Sequence, residues 1–258
     1  IRTAMDEVKP DAWLVAENGD FVASDLNGFG WHGAMNYQGF MRPVWNWINQ
    51  NSSIGGGFQG LPFEMPKIGG KSLVASMVQF SSSIPWRSLV ASMVLLDSHD
   101  TARMRTVVNG DKKAHLSAMT AMLTYPGVPS IFAGDEIGLE GSWGEDSRRT
   151  INWEDRSGWD HDFLAEAKKL IELRRTQDGL IEGGLRWVAV EDNFICYLRE
   201  SEKQSVLVFI SRKAVRTEID LADYGYKVSK TLYGPEATGG SIKIDADGAT
   251  QGIWEVKS

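Results

Sequence analysis

Two kinds of hydrophobic pattern divide the 258-residue chain near residue 184. Before that point, short apolar runs alternate with segments of helical spacing, such as residues 111–124 and 162–177. After it, short β-branched runs follow one another, separated by turn residues and by no helical segment. We therefore predict an α/β region over residues 1–183 and a small antiparallel β-sandwich domain over residues 184–258.

The apolar runs of the first region have the character of buried parallel strands, and three of them end at acidic residues. Glu17 ends the first run, Asp100 follows the third, and Asp135 and Glu136 end the fourth. The four runs lie at residues 12–18, 34–37, 92–97 and 127–136. Because the carboxyl ends of parallel strands in a barrel meet at one mouth, we expect these acids to converge. Four strand–helix units are half of an eightfold (β/α)8 TIM barrel.

The chain opens with a helical pattern and no leading strand. Ile1, Met5 and Val8 fall on one helical face, and Pro10 follows. This pattern is typical of the tail of a helix that begins earlier. We expect the chain to be a fragment of a longer protein.

Composition excludes several classes of partner. The net charge of -7 and the absence of a basic block argue against nucleic acid and anionic membranes. No apolar run approaches the roughly 20 residues of a membrane span. Cys196 is the single cysteine, so neither an internal disulfide nor a cysteine-based metal site is expected. We expect a cytoplasmic protein and leave secretion open, because a signal peptide would precede this chain.

The segment VLLDSHDTARMR, residues 94–105, carries the densest group of reactive side chains. A Ser98–His99–Asp100 triad is excluded because neighbours on an extended chain point to opposite sides, and no GxSxG motif is present. A capping cluster, with Ser98 or Asp100 closing the next helix, remains an alternative. The four histidines are scattered without ligand spacing, so no metal site is predicted.

Carboxylates at one barrel mouth can also perform glycoside hydrolysis, which in its usual form uses two carboxyl groups. The chain has ten tryptophans, and several lie in polar loop contexts, namely Trp31, Trp143 and Trp159. Aromatic rings near a mouth suit this chemistry, since sugar rings present apolar C–H faces. Each tryptophan taken alone is still better explained by packing.

Four motifs in order resemble the α-amylase family, glycoside hydrolase family 13. They are PDAWLVAEN, MNYQGF, LLDSHDTAR and YPGVPSIFAGDEIGLEGSWGEDSRRTINW. The helix ending in LIELRR and the β region resemble the family's last barrel helix and C-terminal domain. The resemblance covers essentially the whole chain and implies the C-terminal half of the catalytic barrel, strands five to eight. It also implies a retaining hydrolase acting on α-glucosidic linkages of maltodextrins or other α-glucans.

The resemblance assigns roles residue by residue. Glu17 matches the general acid/base, and Asp100 matches the carboxylate that stabilises the oxocarbenium-like transition state. His99 matches a substrate-binding histidine. Glu145 and Arg149, four apart, resemble an acid–arginine pair that contacts the donor sugar. Structural roles are expected for the remaining polar residues of these motifs, Ser98, Arg103, Asp135 and Glu136.

The family's nucleophile is an Asp that ends the fourth barrel strand, in a G-x-R-x-D-like context, and no such motif precedes Glu17. Asp6, Asp20 and Asp25 lie in helical or loop positions and are not credible replacements. We therefore expect the chain alone to be inactive. The alternative is a non-catalytic relative that binds carbohydrate or acts as a scaffold.

Two further expectations concern partners and cofactors. An exposed barrel edge is expected to promote self-association, because unpaired strands seek partners. No cofactor is predicted; the family's common calcium site draws on regions outside this chain.

Overall fold

The computed structural model describes residues 1–19, 21–49, 65–142 and 144–258. Its first part alternates short strands with helices. The strands are β1 (Val15–Ala16), β2 (Gly33–Ala34), β3 (Met93–Leu95) and β4 (Val128–Ser130). The helices are α1 (Arg2–Val8), α2 (Arg42–Ile48), α3 (Gly70–Ser82), α4 (Trp86–Val90), α5 (Met104–Val107), α6 (Lys112–Thr124), α7 (His161–Thr176) and α8 (Asp178–Glu182).

The four strands are parallel and follow the order of the chain. β1 pairs with β2 and β3 pairs with β4, while a parallel bridge between Met35 and Met93 joins the two pairs. All four carboxyl ends therefore lie on the same side. This arrangement confirms the predicted α/β region of barrel type. No described strand pairs with the outer edge of β1, and self-association through that edge stays a prediction.

Local capping explains where the longer helices begin. The carboxylate of Asp111 accepts hydrogen bonds from the N–H groups of Lys113 and Ala114, and α6 starts directly after it. Asp160 caps α7 through the N–H of Phe163. Pro43 lies in the first turn of α2, where its missing N–H has no cost. The predicted helices over 111–124 and 162–177 thus differ from the observed ones only near their ends.

The lengths of the predicted strands differ more from the structure. The strand predicted over residues 12–18 is regular only at Val15–Ala16, and the one predicted over 92–97 only at Met93–Leu95. The third strand stops because Asp97 turns back and accepts the N–H of Met104, at 2.6 Å. Helix α3 begins at Gly70, and residues 50–64 lie outside the described residues.

The second part is antiparallel. Its five-stranded sheet has the order β5–β6–β7–β11–β9, and a separate two-stranded sheet pairs β10 with β8. The strands are β5 (Gly184–Glu191), β6 (Phe194–Glu200), β7 (Ser205–Ser211), β8 (Val215–Asp220), β9 (Lys227–Tyr233), β10 (Ser241–Ala246) and β11 (Gln251–Lys257). The predicted antiparallel region is confirmed.

The central strands β6, β7 and β11 of the five-stranded sheet are largely buried, and β6 is buried on both faces. Alternate residues of β6 divide between two apolar clusters: Tyr197 packs with the helices of the first part, whereas Cys196 packs toward the two-stranded sheet. Burial raises the pKa of the Cys196 thiol, which is enclosed in this second cluster. Because one apolar cluster contains residues from both sides of position 184, the division into separate domains there stays a prediction.

The described helices include none that is both long and apolar enough to cross a membrane.

Candidate active site

The carboxyl ends of the four strands carry the polar residues singled out in the sequence. Glu17 follows β1 directly and its side chain is exposed. Tyr37 follows β2 and is buried, whereas His99 and Asp100 follow β3 and reach the surface. Asp135 lies beyond β4 and is buried. The mouth therefore has an exposed layer and a buried layer beneath it.

Tyr37 connects the strand ends. Its side chain is 5% exposed, and its hydroxyl donates to Ser98 Oγ at 2.9 Å. Burial raises the pKa of Tyr37; the hydrogen bond to Ser98 opposes this rise, and the negative charges of Asp100 and Glu17 add to it. Glu17 follows β1 and Asp100 follows β3, so both lie at the carboxyl ends of the parallel strands. The structure brings the two predicted catalytic residues to one neighbourhood.

Ser98 has a supporting position. Its Oγ accepts the N–H of Asp100 at 3.2 Å in addition to the Tyr37 hydroxyl. The helix-capping role predicted for Ser98 or Asp100 falls instead to Asp97, which accepts the first N–H of α5. Ser98 therefore orients the backbone of Asp100.

Asp100 is held on one side by two nitrogen groups. Its Oδ1 atom lies 3.3 Å from His99 Nε2 and 3.2 Å from Arg148 Nη2. The side chains of His99 and Asp100 are 58% and 36% exposed. Arg148 also donates from Nε to the carbonyl oxygen of His99, at 2.9 Å.

The predicted pair of Glu145 with Arg149 is not formed in the structure. Glu145 contacts Arg148 at 3.3 Å, and Arg149 contacts Asp146 at 2.8 Å. Residues Gly144–Arg148 form a 3-10 helix, in which side chains three apart face the same way. The resemblance assigns Glu145 and Arg149 to the donor sugar rather than to each other, so their contact with a sugar stays a prediction. Hydrogen bonds from Ser142 and from Arg149 lower the pKa of Asp146 to about 2.

Arg103 ties the buried layer together. Its guanidinium contacts Asp135 Oδ1 at 2.8 Å and donates to the carbonyl oxygens of Ala133 and Ser147. It also lies over the ring of Phe132, 4.0 Å from the centroid. Because Ser147 precedes Arg148, Arg103 fixes the turn that brings Arg148 to Asp100.

Asp97 and Asp135 form a buried carboxyl pair next to Arg103. Burial raises the pKa of both groups, and in Asp135 the negative charge of Asp97 raises it further. Asp97 Oδ2 accepts the N–H of Met104, and Asp135 Oδ1 accepts from Arg103, so each carboxyl has a partner of its own beside the other. Neither faces the mouth as a free carboxylate.

Within residues 1–19, 21–49, 65–142 and 144–258, no cluster of three or more His, Cys, Asp or Glu side chains is placed to hold a metal ion. Trp143, one of the tryptophans noted in a polar loop, lies outside these ranges.

Sequence comparison identifies the family. The profile described as "Alpha amylase, catalytic domain" matches residues 1–162. The chain belongs to the α-amylase family. All five predicted site residues of this α-amylase family chain, Glu17, His99, Asp100, Glu145 and Arg149, fall within the matched range.

Curated relatives agree with this assignment. A cyclomaltodextrinase from Bacillus sp is 31% identical over 214 residues, which cover 81% of this chain and 35% of the relative. An intracellular maltogenic amylase from Bacillus subtilis is 28% identical over 225 residues, covering 86% of this chain and 35% of the relative. The α-amylase family chain thus spans about a third of the length of these curated relatives.

Solved structures show the same fold. The debranching enzyme from Nostoc punctiforme superposes with a TM-score of 0.85 at 24% identity, covering 98% of this chain and 54% of that one. The cyclic alpha-maltosyl-(1-->6)-maltose hydrolase from Arthrobacter globiformis gives a TM-score of 0.77 at 22% identity, covering 98% and 51%.

Sequence reasoning missed Tyr37 and Arg148 as site residues. Tyr37 lies in the MNYQGF motif directly after β2, so its position at a strand end was the available signal. Arg148 could be found only by knowing that Gly144–Arg148 is a 3-10 helix.

Proposed function

We propose that this chain carries the general acid/base and the transition-state-stabilising carboxylate of a retaining glycoside hydrolase acting on α-glucosidic linkages. Glu17 donates a proton to the leaving glycosidic oxygen and later takes one from water. Asp100 binds sugar hydroxyls and stabilises the positive charge that develops on the sugar ring. The substrates are maltodextrins and related α-glucans, the class that the names of the curated relatives indicate.

The observation that carries this proposal is the position of Glu17 and Asp100 at the carboxyl ends of β1 and β3, two strands of one parallel set. The two carboxylates are 83 positions apart in the chain, yet the strand pairing places both on the same side of the sheet. The Asp100 side chain is 36% exposed, so it can reach a sugar hydroxyl while His99 and Arg148 hold its Oδ1 atom. Exposure of Glu17 leaves it free to meet the glycosidic oxygen.

Arg148 takes the place in the donor-sugar contact that the sequence assigned to Arg149. It touches both Glu145 and Asp100, and its own side chain is 42% exposed. Arg149 is instead engaged with Asp146. In this proposal His99, Glu145 and Arg148 form the polar rim that a glucosyl unit contacts.

The nucleophile is the part of the reaction for which the described residues offer no candidate. A retaining mechanism places it about 5–5.5 Å from the acid. Asp97 and Asp135 are buried with Arg103, and Asp6 pairs with Arg2 in α1. Asp25 ends the short helix Ala23–Asp25, and Asp20 lies outside the described residues. We propose that hydrolysis needs a carboxylate from elsewhere.

The site is tested by titrating the 258-residue chain with maltotriose and following the NMR signals of the His99 ring. We expect a saturable shift, and we expect Asp100→Asn to weaken the apparent affinity about tenfold or more, because a hydrogen bond to a charged group contributes about 1.5–3 kcal/mol. Asp245→Asn, at an exposed carboxylate paired with Arg216 in the C-terminal region, is the matched control.

An unchanged affinity in the Asp100→Asn chain, or equal weakening by both substitutions, would refute the assignment of Asp100. A shift of His99 that depends on Asp100 but not on Glu17 would support binding without supporting acid catalysis, as expected of the non-catalytic alternative. Glu17→Gln is therefore titrated with maltotriose alongside Asp100→Asn and Asp245→Asn.

A further inference from the structure

A second groove lies at the start of α7, and the proposed mouth does not use it. Its volume is about 500 Å³, within the range typical of ligand pockets. Its walls include Arg105, Lys112, Gly158, Trp159, Asp160 and Asp162. Asp100 contacts Ser98, His99 and Arg148, none of which lines this groove. The groove and the mouth are therefore separate sites.

The floor of the groove is rigid. Asp160 caps α7, contacts Arg105 at 3.1 Å and contacts Lys112 at 2.9 Å. The Arg105 side chain is only 5% exposed, and its Nε donates to His115 Nδ1 at 3.1 Å. Its guanidinium lies 4.7 Å from the ring centroid of Phe163. A carboxylate held by three such contacts is a preorganised acceptor for a ligand.

The charges of the groove cancel. Arg105 and Lys112 supply two positive charges, and Asp160 and Asp162 supply two negative ones. A phosphate would meet both carboxylates, and a free cation would meet both basic groups, so neither is favoured. Adjacent donors and acceptors with no net charge suit neighbouring hydroxyl groups, which donate and accept at once.

Aromatic surface completes the wall. Trp159 lines the groove with the Arg156 guanidinium over one face of its ring, 4.9 Å from the centroid. The exposed Trp153, 60% accessible, meets it edge-on at 5.5 Å between ring centroids. A tryptophan ring offers an apolar face to the C–H groups of a sugar and an N–H to its oxygens. The opening is also unobstructed at Gly158, since a Cβ atom there would meet nothing within 4 Å.

We propose that this groove is a second carbohydrate-binding site, which holds a glucosyl unit of an α-glucan chain away from the catalytic mouth. The choice of glucose as the sugar rests on the proposed function. A site of this kind raises the local concentration of a long substrate near the mouth, because the second binding event becomes intramolecular.

The test follows the indole N–H signal of Trp159 while maltotriose is added to the 258-residue chain. We expect a saturable shift that Asp100→Asn changes less than twofold. Gly158→Leu fills the opening without a predicted clash and is expected to weaken binding at least tenfold. In calorimetry, the Asp100→Asn chain is expected to retain binding at the groove. The double variant with Trp159→Ala and Asp100→Asn is expected to show no binding. Trp86→Ala, at an exposed tryptophan of α4, is the control.

The absence of a saturable Trp159 shift, or an affinity unchanged in both Gly158→Leu and the Trp159→Ala combination, would overturn the second site. The two proposals fail differently. Loss of the His99 response with a retained Trp159 response refutes the proposed mouth and keeps the groove. The reverse result refutes the groove and keeps the mouth.

Discussion

Arg103 and Arg199 are equally buried, each with 1% of its surface exposed, but they are satisfied in different ways. Arg103 lies beneath the mouth and pairs with the carboxyl of Asp135. Arg199 lies where β6 meets the helices and donates to the carbonyl oxygens of Thr124, Gly183 and Gly184. One arginine has a titratable partner, whereas the other has only backbone dipoles.

The two arginines differ in how burial and neighbouring groups affect their ionisation. Burial lowers the pKa of Arg199 to about 10, and the nearby charge of Arg174 contributes in the same direction. The lowered pKa means that burial disfavours the charged form of Arg199. Its hydrogen bonds nevertheless join the ends of α6 and α8 to the five-stranded sheet. Beneath the mouth, a carboxyl partner makes the framework sensitive to pH. Substitutions at the two arginines should therefore differ in size and in pH dependence.

The largest effect is expected from Arg103→Met. It leaves the buried Asp135 without its cation and frees two carbonyl oxygens, so we expect the free energy of unfolding to fall by about 3–5 kcal/mol near neutral pH. The loss should shrink in acid, because Asp135 can then take up a proton. Urea unfolding between pH 5 and pH 8 measures it. A loss that does not change over this range would contradict the role of Asp135.

A smaller and pH-independent effect is expected from Arg199→Met. Only neutral carbonyl oxygens lose their partners, and we expect a loss of about 2–3 kcal/mol. Arg216→Met is the control: its pair with Asp245 is exposed, so it should change stability by about 0.5 kcal/mol or less. If Arg199→Met cost no more than this control, the junction would not depend on the buried arginine.

The smallest of the three effects is expected from Asp97→Asn, and it has the opposite sign. The folded-state pKa of the Asp97–Asp135 pair is raised, so its contribution to stability is complete below the unfolded pKa of about 4 and is lost as pH rises through the folded pKa. A neutral amide avoids this loss. Relative to the natural chain, the variant should gain about 1 kcal/mol between pH 5 and pH 8. Urea unfolding measures the difference in the free energy of unfolding between the variant and the natural chain. A difference that stayed constant between pH 5 and pH 8 would show that the pair does not share a proton.

Strand and helix type followed from the sequence because hydrophobic spacing reports on burial. One repeated segment shows the limit of that inference. SLVASMV occurs at residues 72–78, inside α3, and at residues 88–94, where α4 ends and β3 begins. Seven identical residues adopt two structures, so the surrounding chain decides. At the second site Leu95 and Leu96 extend the apolar run into the parallel sheet.

The exposed layer of the mouth was predictable to a similar degree. Glu17 and Asp100 follow apolar runs, and their convergence follows from parallel strands. The buried layer was not predictable in detail, because the Asp97–Asp135 pair joins two loops through tertiary contacts. Likewise, nothing in the letters EDSRR separates a 3-10 turn from an α-helical one, and that distinction selects Arg148 over Arg149.

The central claim is that Glu17 and Asp100 form a competent site that lacks its nucleophile, and chemical rescue tests it most directly. The 258-residue chain is incubated with α-maltosyl fluoride and azide, which can attack the anomeric carbon in place of the carboxylate as fluoride departs. The account predicts azide-dependent release of fluoride with β-configured maltosyl azide, loss of this product in Asp100→Asn, and no hydrolysis of maltotetraose without azide. Hydrolysis of maltotetraose by the unaided chain at rates typical of enzymes, about 1–1,000 per second, would contradict it.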